Sequence, residues 1–485
     1  MTRAVAAALL LVTAGTLCLR TGILGSGYWI DEAITVGIAS HDLGDIPRTL
    51  RQDGSPPLFY LLLHGWMALV GTGEAETRAL PLLFALVSVP VSWWAGDAIL
   101  DRRAGALAAA GAAGCPFLTY YAQETRMYSL VAVLSVLACA SFVLAFLRGR
   151  RRHVWLLGAW SVLLLYTHNW ALFLLAGMGA AWLWLWRAGR VDGREGAALV
   201  AGVGLLYAPW VPSLAFQAAN TAAPWAQRPS LLHLLGIPGG LFGYVAAPAL
   251  VLAAVGVLRR RPAGEAARTL ALIAAVAAVL AFLGSQLEPA WAPRYLAVLF
   301  GPALLALAVV LSRGTTLTWV ALGGVALVWL VSGPSPAKSN VRTVADTVGA
   351  AVRPGDVVAA TQPEQVPVLY RYLPAGVLFV TPLGTVPDPR QTDWRDGVAR
   401  LRAGSAERVL APLVRGLAPG RRVLLVTPVP GSRSQAPWSR AIRVRTRDWR
   451  RRLRADPRLR PLGRRLRTAG PPGRTGVRTL LFEVR

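Results

Sequence analysis

The sequence predicts a polytopic α-helical membrane protein that carries a small α/β domain at its C-terminal end, and three observations support this. Of the 485 residues, 54% are hydrophobic and only 15% are charged, with a mean hydropathy of +0.47, which is too apolar for ordinary soluble domains. Apolar runs close to the roughly 20 residues that cross a bilayer recur as far as residue 332. After residue 333 the hydropathy drops, and short β-rich runs alternate with helical ones.

Taken in order, candidate spans fall at 4–24, 79–99, 104–121, 128–147, 154–168, 170–186, 197–212, 241–258, 268–285, 294–312 and 315–332, about eleven transmembrane helices in all. Arg3 ahead of the first run resembles a signal peptide. No small-x-small cleavage site follows, and Leu17 before Cys18 suits a lipoprotein site poorly, so the run reads as a retained span. Residues 25–78 form a long loop with helical patterning: 31–40 and 45–53 read as short helices. Pro56-Pro57 then opens an apolar run over 58–70, too short to span, which suits a helix lying in the interface beside Trp29, Tyr60 and Trp66.

The remaining loops fall into two kinds. Arg-rich connections at 101–103, 148–152, 187–195, 259–268 and Arg313 belong in the cytoplasm by the positive-inside rule. Residues 25–78, 120–128, 167–169, 213–240 and 288–294 then lie outside, with the N-terminus inside and everything after 333 outside. In that last part, 356–360, 377–380 and 421–426 read as buried strands and 341–352 and 406–417 as helices, with 479–484 closing a mostly parallel sheet. Residues 440–467 read as a strongly basic helical segment. The expected division is therefore 1–332 as the membrane domain and 333–485 as an extracytoplasmic α/β domain.

The formal charge is +27, yet Lys338 is the single lysine among 51 basic residues. Such Arg-rich usage reflects overall composition, and no nucleic-acid partner is implied. Cys18, Cys115 and Cys139 all fall in apolar segments, which supports neither a disulfide framework nor a cysteine metal site.

The chemistry-bearing residues lie in the outer set. Asp31 and Glu32 are adjacent carboxylates beside a span, a costly placement that favours a functional role. Capping of the 34–40 helix would account for Asp31 and leave Glu32 unexplained. Asp53 precedes the Pro56-Pro57 turn, and His64 follows on the helical face of Tyr60. The Tyr120–Tyr128 segment holds Tyr121, Glu124, Arg126 and Tyr128, where Glu124 and Arg126 either pair or face a substrate. His168 and Asn169 occupy another outer turn between aromatics. Arg78 and Arg294 sit at outer span ends, where an Arg either snorkels to headgroups or uses its planar fork on a phosphate.

Together these stretches resemble the C-type (GT-C) membrane glycosyltransferases, in the branch of the protein O-mannosyltransferases and the lipid A aminoarabinose transferase. The resemblance covers roughly residues 5–312. It rests on the acidic pair Asp31-Glu32, on Asp-x-x-Pro-Pro-Leu-x-Tyr at Asp53–Tyr60 and on Arg-x-Leu-Pro at Arg78–Pro81. Tyr-x-Gln-Glu-x-Arg-x-Tyr at Tyr121–Tyr128 and Arg-Tyr-Leu at Arg294–Leu296 complete it.

The resemblance implies a GT-C fold with a helical first outer loop, and transfer of a sugar from a polyprenyl-phosphate donor to an extracytoplasmic glycan, lipid or protein acceptor, with inversion. By the same resemblance Asp31 is the candidate general base and Glu32 its neighbour in orienting substrate, while Arg78, Arg126 and Arg294 hold the departing phosphate. Asp53, His64, Tyr121, Glu124, Tyr128, His168 and Asn169 would contact substrate. Some members use a divalent cation, for which Asp31, Asp53, His64 and Glu124 are available ligands, although no tight metal motif is present. The α/β tail departs from that of the protein mannosyltransferases, so a protein acceptor is not implied. The composition resembles that of actinobacterial proteins, which would suit mannosyl or arabinosyl transfer to a wall glycan or lipoglycan. A transporter or lipid flippase is the principal alternative. No internal repeat is evident, and the ionisable groups gather at one face rather than at the midplane.

Overall fold

The computed structural model of the chain describes residues 3–221, 223–332, 338–429, 434–462 and 475–485. Helix α1 (Arg3–Leu19) is followed by the three helices expected in the first outer loop: α2 (Ile30–Ala39), α3 (Ile46–Asp53) and α4 (Leu58–Val70). Gly54 ends α3 with φ of 102°, a left-handed turn that glycine adopts without a Cβ penalty. The helical layer continues as α5 (Glu74–Ile99), α6 (Arg102–Gly114), α7 (Pro116–Tyr121), α8 (Tyr128–Phe146), α9 (Arg152–Thr167) and α10 (Ala171–Arg187). It goes on through α11 (Gly193–Tyr207), α12 (Val211–Asn220), α13 (Leu231–Leu235), α14 (Ile237–Phe242) and α15 (Ala246–Arg260) to α16 (Glu265–Leu287), α17 (Ala297–Leu311) and α18 (Thr316–Val331).

Among the described residues five helical runs are long and apolar enough to cross a membrane: Glu74–Ile99, Tyr128–Phe146, Gly193–Asn220, Glu265–Leu287 and Pro293–Leu311. Two of the other expected spans are shorter than read from hydropathy, for identifiable reasons. The 104–121 run is broken where Cys115 turns extended ahead of Pro116, because a proline disfavours helical backbone in the residue before it. The 241–258 run begins only at Ala246, after Gly243 at φ of 88°. Helix α8 is buried nearly throughout and packs against α5, α9 and α17, so it forms the centre of the helical layer.

The C-terminal part contains α19 (Val341–Val348), β1 (Val357–Ala360), α20 (Val366–Tyr372), β2 (Leu378–Thr381), β3 (Gly384–Thr385), α21 (Gly397–Ala403), α22 (Ala406–Arg415), β4 (Arg422–Pro428), α23 (Pro437–Ala455), β5 (Leu459–Leu462) and β6 (Val477–Val484). The sheet order is β3-β2-β1-β4-β6-β5. Among the described residues only β1 with β2 and β1 with β4 pair in parallel, and the other three pairings are antiparallel. The mostly parallel sheet expected from the sequence is therefore corrected: only its three central strands run parallel, and the strand holding 479–484 closes the sheet antiparallel to β4. Strand β1 is wholly buried, as a strand covered on both faces should be. The expected basic helix ends at Ala455 and gives way to β5, in a stretch where Pro457 and Pro461 remove helical donors. Residues 463–467 of that expectation lie outside the described residues.

This part sits directly on α2. A Cβ at Gly37 would lie 1.9 Å from the Arg390 carbonyl oxygen, and one at Gly27 would lie 2.9 Å from the Arg342 Cβ, so close backbone approach demands glycine at both positions. The Tyr28 N–H donates to the Tyr372 hydroxyl (2.7 Å), which itself donates to Glu74 Oε1 (2.7 Å). His41 Nε2 meets Asp388 Oδ2 at 2.6 Å.

Candidate active site

The N-terminus of α2 organises the candidate site. Asp31 and Glu32 occupy its first turn, where unpaired backbone N–H groups favour negative charge. One residue apart on a helix, they point in different directions and meet different surroundings.

Glu32 is 1% exposed, and both its oxygens are occupied. Arg78 Nε donates to Oε1 at 2.7 Å and Nη2 to Oε2 at 2.6 Å, while the Thr125 N–H donates to Oε1 at 3.0 Å. Arg78 is equally buried, and its Nη1 donates to the carbonyls of Ile23, Leu24 and Ser26. A bidentate pair of this kind is strong and geometrically specific, and it ties α2, α5, the 23–27 turn and the 122–127 segment together. Arg78 was expected at a phosphate. Its donors are committed to Glu32 and the turn, so it serves the scaffold of the site.

Asp31 is the opposite case. Its Oδ2 is buried with no hydrogen-bond partner, and Arg294 Nη2 stands 3.5 Å away. Arg294 lies over Trp225 (4.7 Å to the centroid) and Tyr295 (5.4 Å), and its Nε has no partner. Arg126 donates to Thr35 Oγ1 (2.7 Å) and the Tyr60 hydroxyl (3.3 Å), yet its Nε is also unpartnered, as are the Tyr128 hydroxyl and Asn169 Oδ1. The Tyr128 ring is 5.2 Å from Tyr121 and 6.1 Å from His168, and His168 is 4.8 Å from Tyr295. Buried polar groups are nearly always paired, so several orphans on neighbouring side chains mark a place for a polar ligand.

The other predicted site residues divide in the same way. Asn169 Nδ2 donates to the Gly54 carbonyl (3.1 Å) and His168 Nδ1 accepts from the Trp170 N–H (3.1 Å), which fixes the turn that faces Tyr295. Asp53 Oδ2 accepts from Ser55 (2.9 Å); burial pushes its pKa up, against the opposing charge of Arg126. His64 donates to the Ala39 carbonyl (2.9 Å) and so caps the end of α2. Glu124 pairs with Lys338 rather than with Arg126. Among the described residues no three of His, Cys, Asp and Glu gather as a metal-ligand set. Asp31, Asp53, His64 and Glu124 are not one cluster.

Sequence reading missed Thr35, Trp225 and Lys338 as parts of the site. Only Lys338 carried a signal, as the one lysine of an Arg-rich chain.

An apolar cavity of about 190 Å³ lies among α1, α6, α17 and α18, lined by Leu10, Leu17, Gly114, Leu304, Val325 and Trp329. That is far larger than the packing voids of a protein core. Leu17, Gly114 and Trp329 also border a second cavity holding Arg20, Thr21 and Gln123. Gln123 and Tyr120 in turn border a third, with Glu32, Arg78, Glu124 and Lys338. The surroundings thus grade from hydrocarbon to charge toward the acidic pair.

No family model and no curated protein sequence matches the chain. Solved structures do. ArnT from Cupriavidus metallidurans in the apo state is similar over 99% of this chain and 98% of its own, with a TM-score of 0.65 and 14% identity. The same protein bound to undecaprenyl phosphate aligns with a TM-score of 0.60 and 13% identity, over 98% and 97% of the two chains. The oligosaccharyltransferase of Archaeoglobus fulgidus in the apo form aligns with a TM-score of 0.53 and 12% identity, over 87% of this chain and 69% of that one. At such identities the likeness establishes a shared fold, and the GT-C fold expected from the sequence is the fold of the chain.

Proposed function

We propose that the protein is an integral-membrane glycosyltransferase that moves a sugar from a polyprenyl-phosphate donor to an extracytoplasmic acceptor. The single observation that carries this reading is the unpartnered Asp31 carboxylate oxygen beside two arginines that also retain unpartnered nitrogens. A base facing phosphate-ready cations is what a single displacement at a sugar-phosphate carbon requires. The ArnT structure bound to undecaprenyl phosphate, which shares this fold, supports a lipid-linked donor.

In this mechanism Asp31 takes the proton of the acceptor hydroxyl as its oxygen attacks the anomeric carbon. The bond from that carbon to the phosphate oxygen breaks, and the configuration inverts. Arg294 and Arg126 meet the charge that develops on the departing polyprenyl phosphate. Glu32 and Arg78 touch neither substrate; they fix the helix on which Asp31 rides. Tyr121, Tyr128, His168 and Asn169 line the sugar and acceptor side. The acceptor is an envelope glycan or glycolipid and the sugar is mannose- or arabinose-like. The outer loops and the C-terminal part, as a separate domain after residue 332, face the exterior, with the N-terminus in the cytoplasm.

The test is transfer from a panel of radiolabelled polyprenyl-phosphate sugars in membranes that hold the wild type or Asp31→Asn. The wild type should transfer at least one sugar, and the variant should lose about 10²-fold or more. No transfer by the wild type, or an equally fast variant, defeats the reading.

A further inference from the structure

Lys338 is far in sequence from the acidic pair, yet its ammonium stands beside it. Nζ is 2.5 Å from Glu124 Oε2, 4.4 Å from the ring centroids of both Trp29 and Tyr120, and 5.9 Å from that of Tyr121. A carboxylate with several aromatic faces around one ammonium is a complete cation cage. Arg would not fit it in the same way, since its charge is spread over a planar fork.

The backbone of this lysine is tied to the residues that lead into β6. Its carbonyl accepts from the Thr475 N–H (3.2 Å) and the Thr475 hydroxyl (2.7 Å). Two residues on, the Asn340 side chain bonds both the N–H (2.7 Å) and the carbonyl (3.0 Å) of Val477, the first residue of β6. The ammonium is thus delivered by the C-terminal sheet into the helical layer.

What it touches there are the two stretches that frame the site. Trp29 immediately precedes α2, and its N–H meets Glu32 Oε2 at 3.4 Å. Glu124 is 2% exposed and stands next to Thr125, whose N–H holds the other Glu32 oxygen. It is also two residues from Arg126. Burial pushes the Glu124 pKa up and the Lys338 charge opposes that, so the pair is worth most as a pair.

We propose that Lys338 is a positioning residue for transfer: carried by the C-terminal sheet, it fixes Trp29 and Glu124 and thereby sets Asp31 and Arg126 for the chemistry. The catalytic half of this proposal rests on the transferase reading, and the structural half does not.

The test uses the full chain in nanodiscs, as wild type, Lys338→Met, Glu124→Gln and the double variant, with two readouts. In hydrogen exchange, Lys338→Met should raise exchange about tenfold or more in residues 28–35 and 120–128 and leave β1, β4 and α8 unchanged. In transfer assays it should lower kcat about 10- to 100-fold with both KM values within about twofold, as misplacement of a catalytic group does. The double variant, which buries no unpaired charge, should recover thermal stability without recovering kcat, and it covers the case in which the single variants fold poorly. Unchanged exchange overturns the proposal. A donor KM raised about tenfold at constant kcat overturns it in favour of a direct phosphate contact, and full recovery of kcat in the double variant reduces Lys338 to a neutraliser of Glu124. If the wild type transfers nothing, the transferase reading and the catalytic half fall together, and the exchange data still decide whether Lys338 holds the loops.

Discussion

Asp31 and Glu32 are consecutive residues of the same charge on the same helical turn, and the molecule treats them in opposite ways. On the Glu32 side both carboxylate oxygens and both ends of the Arg78 guanidinium are spoken for, and the pair is closed to solvent. On the Asp31 side the carboxylate oxygen, one nitrogen each of Arg294 and Arg126 and the Tyr128 hydroxyl are buried without a hydrogen-bond partner. A satisfied polar cluster rigidifies, whereas an unsatisfied one is tolerated where a ligand will complete it. The contrast separates the half of the acidic pair that builds the site from the half that we propose does the chemistry.

Asp31→Asn should break the contrast most sharply: kcat falls about 10²- to 10⁴-fold, and the thermal midpoint of the purified protein stays where it was. Arg78→Met should do the reverse in kind. It strands the buried Glu32 carboxylate and should destabilise the fold by about 3–5 kcal/mol in denaturation experiments, with loss of activity only as folded protein is lost. If Arg78→Met were stable and merely raised the donor KM, the two sides would not differ as described. Arg294→Lys keeps the charge beside Asp31 and loses the fork, so the donor KM should rise about tenfold in steady-state assays.

Smaller effects belong to the buttress of α2. His64→Ala removes one hydrogen bond at Ala39 and should cost about 1 kcal/mol of stability with kcat unchanged. Asp388 titrates below its ordinary value: burial raises its pKa, but the hydrogen bonds from Arg390 and His41 lower it further. Its contribution is therefore present above the ordinary carboxylate range near pH 4 and is lost as pH falls through the lowered value. Asp388→Asn should accordingly lower the thermal midpoint slightly at pH 7, and by less as the pH falls below the ordinary carboxylate value.

Much of this was legible in the chain. Hydropathy located the helical layer, and the three helices of the first outer loop follow from proline, glycine and apolar spacing. The residues with unpartnered atoms around Asp31, namely Arg126, Tyr128 and Arg294, are all among the candidates that the sequence singles out. The division of labour within the pair was not legible. It depends on Arg78, 46 residues from Glu32, choosing one carboxylate over its neighbour, and nothing local records that choice. Lys338 meets Glu124 across 214 residues, and the antiparallel half of the sheet likewise rests on long-range pairing. Where partners are distant in sequence, residue type sets what a group can do and tertiary packing decides whether it is left free to do it.

The glycines at the back of α2 carry one more consequence. Because Gly37 leaves no room for a Cβ against the Arg390 carbonyl and Gly27 leaves little against the Arg342 Cβ, the C-terminal part is keyed to this helix by absent atoms as much as by bonds. Modular exchange between proteins of this architecture would therefore have to move lock and key together. A graft of the terminal sheet onto a foreign membrane part seats only where the recipient offers the same two bare positions.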